Sequence, residues 1–431
     1  MDFTMAMNYI EEKNKLGSVP GLDNIKELLR RLGNPQNKCR CLQIAGTNGK
    51  GSIFSFVQEI LLEAGFSVGR YISPTIFTYL ERFQMNKQNM PEETFAEILG
   101  TVAEKVSEME RDGLQSPTAF EIETAVAFLY FAEQKVDYAL IECGMGGELD
   151  ATNVIAHPVL SVIASVSRDH MQFLGNTLAE IATQKAGIIK QDGICVSAQQ
   201  TSEVTAVLED VCGRKGTEFI QIRESDLHIL EMDLSKTVFC YKGDTYSIKL
   251  LGEHQVMNAA VAIETARRIE GVSSTDICRG LNSTVWRGRM TMVCDNPYVF
   301  VDGAHNEAAW KYLKKAVNKY FTNRRIIYII GVLKDKEYEK MVDILADTMD
   351  SAITVTPDTP RGLDGTCLAD LIGQKGIAVS AASSVDDAVR QAVCSINTLR
   401  LCGTEQEEPI VLVCGSLSFI ADYLNYKWDK I

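Results

Sequence analysis

At 431 residues, 46% apolar and 23% charged, the chain exceeds what one hydrophobic core usually organises, so two domains with substantial cores are expected. A formal net charge of −14 argues against a nucleic-acid partner, although a local basic cluster can still hold a small anion. The start Met1-Asp2-Phe3-Thr4 lacks a secretion signal, no apolar run is bilayer-length, and the twelve cysteines show no zinc spacing. The expectation is a cytoplasmic protein, with no membrane partner and with reduced cysteines serving mostly as small core residues.

The first strand expected in chain order is the apolar segment around Cys41, Leu42 and Ile44. It feeds Gly46-Thr47-Asn48-Gly49-Lys50-Gly51-Ser52, and a helical pattern over 53–64 follows. A glycine-rich turn between strand and helix aims backbone N–H groups and the positive helix end at one point, which suits a phosphate. Lys50 reaches the outer phosphates, and the Ser52 hydroxyl joins a magnesium shell. The spacing departs from G-x-x-x-x-G-K-[ST], because Gly51 separates the lysine from the serine. The strand–loop–helix context favours an ATP site over an incidental Gly-rich turn.

A helix over 121–134 and strands at 138–141 and 159–163 carry a βαβα rhythm to about Ala198, which implies a mainly parallel sheet covered by helices. Glu142 closes the first of these strands before a glycine loop and is a magnesium-ligand candidate, the alternative being a solvated carboxylate. Asp169 and His170 follow the second strand at the same sheet edge. Lys185 follows an amphipathic turn, and periodicity leaves it either a helix-end cation or a site residue. From about 219 to 251, short alternating pieces around Lys242-Gly243-Asp244 read as a small antiparallel insertion beside the first domain.

Gly252-Glu253-His254-Gln255 leads to Asn258 at an expected helix start, where an amide can read a purine edge. Arg287 and Arg289 are forked cations suited to phosphate. Past Pro297 the alternation restarts, with strands at 298–301, 325–332, 352–356 and 410–414 and helices over 307–320, 337–349 and around 386–396. Asp302 ends the first of these strands and can accept from ribose hydroxyls, the alternative being a capping role for Asp302 or Asn306. The fold class is therefore α/β: an N-terminal P-loop ATPase domain (1–295) with a mainly parallel sheet plus a small antiparallel sheet, and a smaller Rossmann-like C-terminal domain (296–431).

In this order, the 46–52 loop, Ser73-Pro74…Glu81-Arg82, Thr118-Ala119-Phe120-Glu121, the 142–153 segment, Asp169-His170…Lys185-Ala186-Gly187 and Asp302-Gly303-Ala304-His305-Asn306 resemble the folylpolyglutamate synthase/dihydrofolate synthase family of the Mur ligase group. The resemblance runs nearly end to end, through Gly331–Lys336 and Gly415-Ser416-Leu417. It implies an ATP-driven amide ligase of folate metabolism, acting as a monomer on L-glutamate and a folate or dihydropteroate. By matching positions, Gly46, Thr47, Asn48, Gly49, Lys50, Gly51 and Ser52 would hold the triphosphate. Asn258 would contact adenine, Arg289 the phosphates and Asp302 the ribose, with His305 nearby. Ser52, Ser73, Glu142 and His170 would bind two magnesium ions, and Lys185 matches a lysine that is carbamylated in the family. A monovalent cation is a further expectation. Lys50, His170 and Lys185 are the expected catalytic residues. Arg82, Thr118, Ala119, Phe120, Glu121, Leu149, Asp150 and Ala151 are the expected substrate contacts.

Three departures from the family pattern stand out. Thr75-Ile76 replaces the usual His-Leu, Trp286-Arg287-Gly288-Arg289 replaces Trp-Pro-Gly-Arg, and Gln184 stands where Glu is frequent. Two rivals remain. A Mur-type ligase of a cell-wall precursor would carry an extra N-terminal domain, for which the position of Gly46 leaves no expected room, and Thr directly after the loop lysine. A nucleotide switch would need an Asn-Lys-x-Asp guanine reader, and no strand end offers one.

Overall fold

The computed structural model describes residues 1–17, 19–169, 171–401 and 408–428. Among the described residues seventeen strands form three sheets. The first sheet draws on β1 (Cys41–Ala45), β2 (Val68–Tyr71), β3 (Phe83–Met85), β4 (Gln88–Asn89), β5 (Tyr138–Glu142), β6 (Leu160–Ile163), β7 (Ile194–Ser197) and β8 (Glu218–Gln221). Its order is β4-β3-β2-β5-β1-β6-β7-β8, parallel except for the antiparallel pairs β2–β3 and β3–β4. Strands β1 and β5 are buried along their whole length, as expected of strands covered on both faces. The chain leaves β1 for one side of the sheet and crosses back to β6 on the other. The loops after β1, β5 and β6 therefore meet at the switch point, where such sheets bind ligands.

β9 (Leu227–Met232), β10 (Thr237–Tyr241) and β11 (Asp244–Ile248) form the small three-stranded sheet. The insertion thus starts later than the sequence reading placed it. Phe219 lies in β8, which pairs in parallel with β7 as the outermost strand of the main sheet. The third sheet takes β12 (Thr291–Asp295), β13 (Tyr298–Val301), β14 (Ile326–Ile330), β15 (Ser351–Val355), β16 (Ala378–Ala382) and β17 (Ile410–Cys414) in the order β12-β13-β17-β14-β15-β16. Only β12 runs antiparallel.

The chain falls into two compact units. One comprises Met1–His228, Tyr241–Tyr246 and Met257–Thr284; the other comprises Ile229–Cys240, Ser247–Val256 and Val285–Ile431. The core of the first packs Phe83, Phe95, Phe128 and Phe131 between helices and sheet, and the core of the second centres on Trp310, Tyr328 and Leu412. The helix Ala119–Glu133 is apolar on all sides and buried accordingly. Among the described residues the cysteines are free thiols. Cys41, Cys143, Cys195, Cys212 and Cys414 are buried, whereas Cys278, Cys367 and Cys394 are exposed, so core filling accounts for only part of the set. Among the described residues no helix is long and apolar enough to cross a membrane.

Candidate functional site

The loop after β1 turns into the helix Lys50–Glu63 at Gly49, whose φ of +95° lies in the left-handed region that glycine adopts without strain. Ile53 N donates to Gly49 O at 2.9 Å, which opens the helical ladder. The N–H groups ahead of Ile53 are those a helix leaves without internal acceptors, and they form an anion cradle. The segment that follows β6 braces this cradle. Thr47 N donates to Ser165 O at 2.7 Å, Thr47 Oγ1 to Ser167 O at 3.0 Å, and Ser167 N to Thr47 Oγ1 at 3.0 Å. Ser52 is buried one turn into the helix.

Three charged groups converge here. Lys50 Nζ lies 3.2 Å from Gly46 O and 3.6 Å from Glu142 Oε1, and Glu142, at the end of β5, is only 6% exposed. Lys185 stands in the last turn of the helix Leu178–Ala186, which Thr177 and Glu180 cap reciprocally. It is 4% exposed and donates to Gly46 O at 2.9 Å. Burial and then the Lys50 charge lower its pKa to about 7, against the opposing pull of Cys143, Asp169 and Asp150. Lys185 is thus not a solvated helix-end cation; it is buried against the phosphate loop. Ser73 lies just past β2 at the same sheet edge, joined to Pro74 by a cis peptide bond. His170 lies outside the described residues.

Magnesium takes oxygen ligands, usually one or two carboxylates with substrate phosphates and water. The buried Glu142 carboxylate beside the cradle and the Ser52 hydroxyl fit that chemistry. Among the described residues no trio of His, Cys, Asp and Glu side chains gathers as a metal site.

Several expected substrate residues hold local backbone. Thr118 N and Oγ1 donate to Glu121 Oε2 at 2.8 and 2.9 Å, which caps the helix Ala119–Glu133. Asp150 accepts from Met145 N at 2.8 Å, Thr152 N at 3.0 Å and Thr152 Oγ1 at 2.6 Å. Burial pushes both carboxyls up, and these bonds oppose it. Ala119 and Ala151 are buried, Leu149 is 48% exposed, and the Phe120 ring stacks 6.1 Å from Tyr71. Arg82 Nη1 donates to Glu123 Oε2 at 2.9 Å. Sequence reasoning passed over Glu123, although a second acid two residues after Glu121 in an apolar helical run was a visible signal.

Asn258 sits in the second turn of the helix Glu253–Ala266, not at its start, because the helix opens at Glu253. A Cβ on Gly49 would stand 2.6 Å from its Oδ1, so the amide covers the phosphate loop. In the other unit, Asp302 follows β13 and accepts from Met290 N and Ala304 N, each at 2.8 Å. Burial raises its pKa and Arg289 opposes the rise. A Cβ on Gly303 would come within 2.7 Å of Arg289 Nη1, so that approach requires glycine. His305 Nδ1 lies 2.8 Å from Gly303 O, and Asn306 takes the capping role by accepting from Ala309 N at 2.9 Å. His254 had no assigned role; burial, then Arg289 and Lys315, depress it to about 4.

Comparison with known proteins places these features in a family context. Residues 44–266 match the Mur ligase middle domain, and residues 288–417 match the Mur ligase glutamate ligase domain. The dihydrofolate synthase/folylpolyglutamate synthase of Bacillus subtilis (strain 168) is 35% identical over 429 residues, covering 97% of each chain. The structure of Mycobacterium tuberculosis folylpolyglutamate synthase complexed with ADP and AMPPCP superposes with a TM-score of 0.89 at 27% identity, covering 99% of this chain and 100% of that one. A folylpolyglutamate synthase–AMPPCP–folate complex gives 0.83 at 28% identity over 98% of both chains.

Proposed function

This chain belongs to the dihydrofolate synthase/folylpolyglutamate synthase family of the Mur ligases, and we propose that it joins L-glutamate to folates and to dihydropteroate through an acyl phosphate. It is an ATP-dependent ligase. The observation that carries the reading is the convergence of Lys50, Glu142 and Lys185 on the cradle at Gly46.

A carboxylate is a poor acyl donor. Its oxygen attacks the γ-phosphorus in line, the bond to the β-phosphate oxygen breaks, and ADP leaves. The transition state spreads negative charge over the phosphoryl oxygens, so positioning and neutralisation do most of the work. The cradle N–H groups and Lys50 hold the triphosphate, Asn258 lies over the loop on the nucleotide side, and Arg289 and Asp302 take phosphate and ribose. Magnesium would be held by Ser52, Ser73, Glu142 and, by its matched sequence position, His170, and would supply further neutralisation. The neutral amine of glutamate then attacks the acyl carbon and loses a proton, and the C–O bond breaks to release phosphate.

The depressed Lys185 amine supports a carbamate at that position: a neutral amine adds CO2 with loss of one proton and becomes an anionic oxygen donor. The dual name of the Bacillus relative supports activity on dihydropteroate as well as on folates. ADP release should require ATP, glutamate and a pteroyl substrate together, and Lys50→Ala should lower it about 100-fold or more. Nucleotide hydrolysis indifferent to folate and glutamate would refute the ligase reading for a nucleotide switch.

A further inference from the structure

Glu123 is a buried acid that no step above uses. It lies in the helix Ala119–Glu133 with its side chain 4% exposed, and both oxygens are engaged. Tyr79 OH donates to Oε1 at 2.8 Å and Arg82 Nη1 to Oε2 at 2.9 Å. The Arg82 guanidinium also lies over the Tyr79 ring, 5.0 Å from its centroid. Tyr79 is held edge-on by Phe95 at 5.6 Å. The helix and the short turn Tyr79–Arg82 are thus locked through one carboxylate, one phenol and one guanidinium.

An arginine free to rotate loses considerable entropy when a ligand fixes it, and a planar fork already held in place loses less. Arg82 is held. Its side chain is 22% exposed, and its Nε is shielded from solvent with no hydrogen-bond partner among the described residues. A shielded donor without an acceptor is costly in a folded protein and calls for a partner that the fold itself does not supply. The Arg82 turn also precedes β3, whose Phe83 ring stacks 5.6 Å from Tyr71, and Tyr71 in turn lies 6.1 Å from Phe120. The guanidinium therefore stands at the edge of a buried aromatic cluster that reaches Phe120, an expected substrate contact.

We propose that Glu123, with Tyr79 as platform, is a positioning residue that holds Arg82 for the pteroyl substrate, and that Arg82 Nε is the donor kept for that substrate. The inference rests on Arg82 being a substrate contact. It is tested by steady-state kinetics on the full chain, varying tetrahydrofolate or dihydropteroate in one series and ATP in the other. Arg82→Gln should raise KM for the pteroyl substrate about tenfold or more and leave KM for ATP within about twofold. Glu123→Met should reproduce that split, and Glu123→Gln, which keeps an acceptor for Arg82, should recover most of it.

An unchanged pteroyl KM in Arg82→Gln would overturn the substrate reading beneath the proposal. A raised KM in Arg82→Gln with a wild-type value in Glu123→Met would overturn the positioning role alone. Should Glu123→Met fail to fold, Glu123→Asp decides. One carbon shorter, it keeps the charge but loses the double reach, so its pteroyl KM should rise about threefold or more; an unchanged KM overturns the proposal.

Discussion

At the scale of single residues, Lys185 carries the sharpest consequence. Its ammonium gives up its proton near pH 7 in the folded chain, against an ordinary lysine value of 10.5. Between those values the unfolded chain holds the extra proton, so this group makes stability rise with pH across the window and contributes no slope below about 7. In CO2-free buffer the wild-type denaturation midpoint should therefore climb from pH 7 to 10 relative to Lys185→Met; parallel curves would contradict the depressed value. The same neutral amine should bind CO2, and 13C-bicarbonate should give a carbamate signal that grows as pH passes 7 and is absent in Lys185→Met.

Lys185 also shows where sequence reading stops. Periodicity left it either a helix-end cation or a site residue, and only folding brings Gly46 O within 2.9 Å of its amine, 139 positions away. Arg70 is similar. An arginine inside the apolar strand β2 gave no functional signal, yet it is buried, bonds Ser55 and Gln84 across three elements, and is lowered to about 10 by burial.

At the scale of elements, the segment 148–153 and the helix bearing Lys185 are fastened together. Glu148 N donates to Gln184 O at 2.7 Å, and Asn153 Nδ2 bridges Glu148 O at 3.0 Å and Gly187 O at 3.2 Å. Lys190 Nζ completes the strut on Asn153 Oδ1 at 2.8 Å. Asn153→Ala removes these bonds to part-buried carbonyls and should cost about 1 kcal/mol of stability, read by denaturant titration. Turnover should fall at temperatures where the variant is still folded, because Lys185 sits two residues before Gly187. A variant as stable and active as wild type would show the strut to be idle.

The elements legible in sequence were the buried ones. Strands β1, β5 and β17 are buried along their whole length, mostly apolar and followed by glycine loops, and the helix Glu307–Tyr320 carries a clean 3.6-residue pattern. Edge strands were not. β16, Ala-Val-Ser-Ala-Ala, is mostly exposed and carries almost no apolar signal, and the helix Gly365–Gly373 before it passed unnoticed. β8 is half-exposed for the same reason and was taken for the start of the insertion.

At the scale of the whole molecule, the chain folds into two α/β units, each with strands that end in glycine-rich loops. The phosphate loop, Glu142 and Lys185 lie in one unit, and Arg289, Asp302 and His305 lie in the other. The expected boundary at 295/296 differs from the two compact units, which group Ile229–Cys240 and Ser247–Val256, expected beside the first domain, with Val285–Ile431; β12 pairs with β13 and so packs there too. A net charge of −14 is compatible with binding an anionic nucleotide because the positive groups are local: Lys50 and the backbone cradle.

The most direct test of the account is the mass of the product. The chain, ATP, magnesium and L-glutamate are incubated separately with tetrahydrofolate and with dihydropteroate, and each mixture is resolved by mass spectrometry. The account predicts a gain of one glutamyl residue on each pteroyl substrate, matched by ADP and phosphate in equal amounts. Consumption of ATP with no glutamyl adduct on either substrate would contradict it.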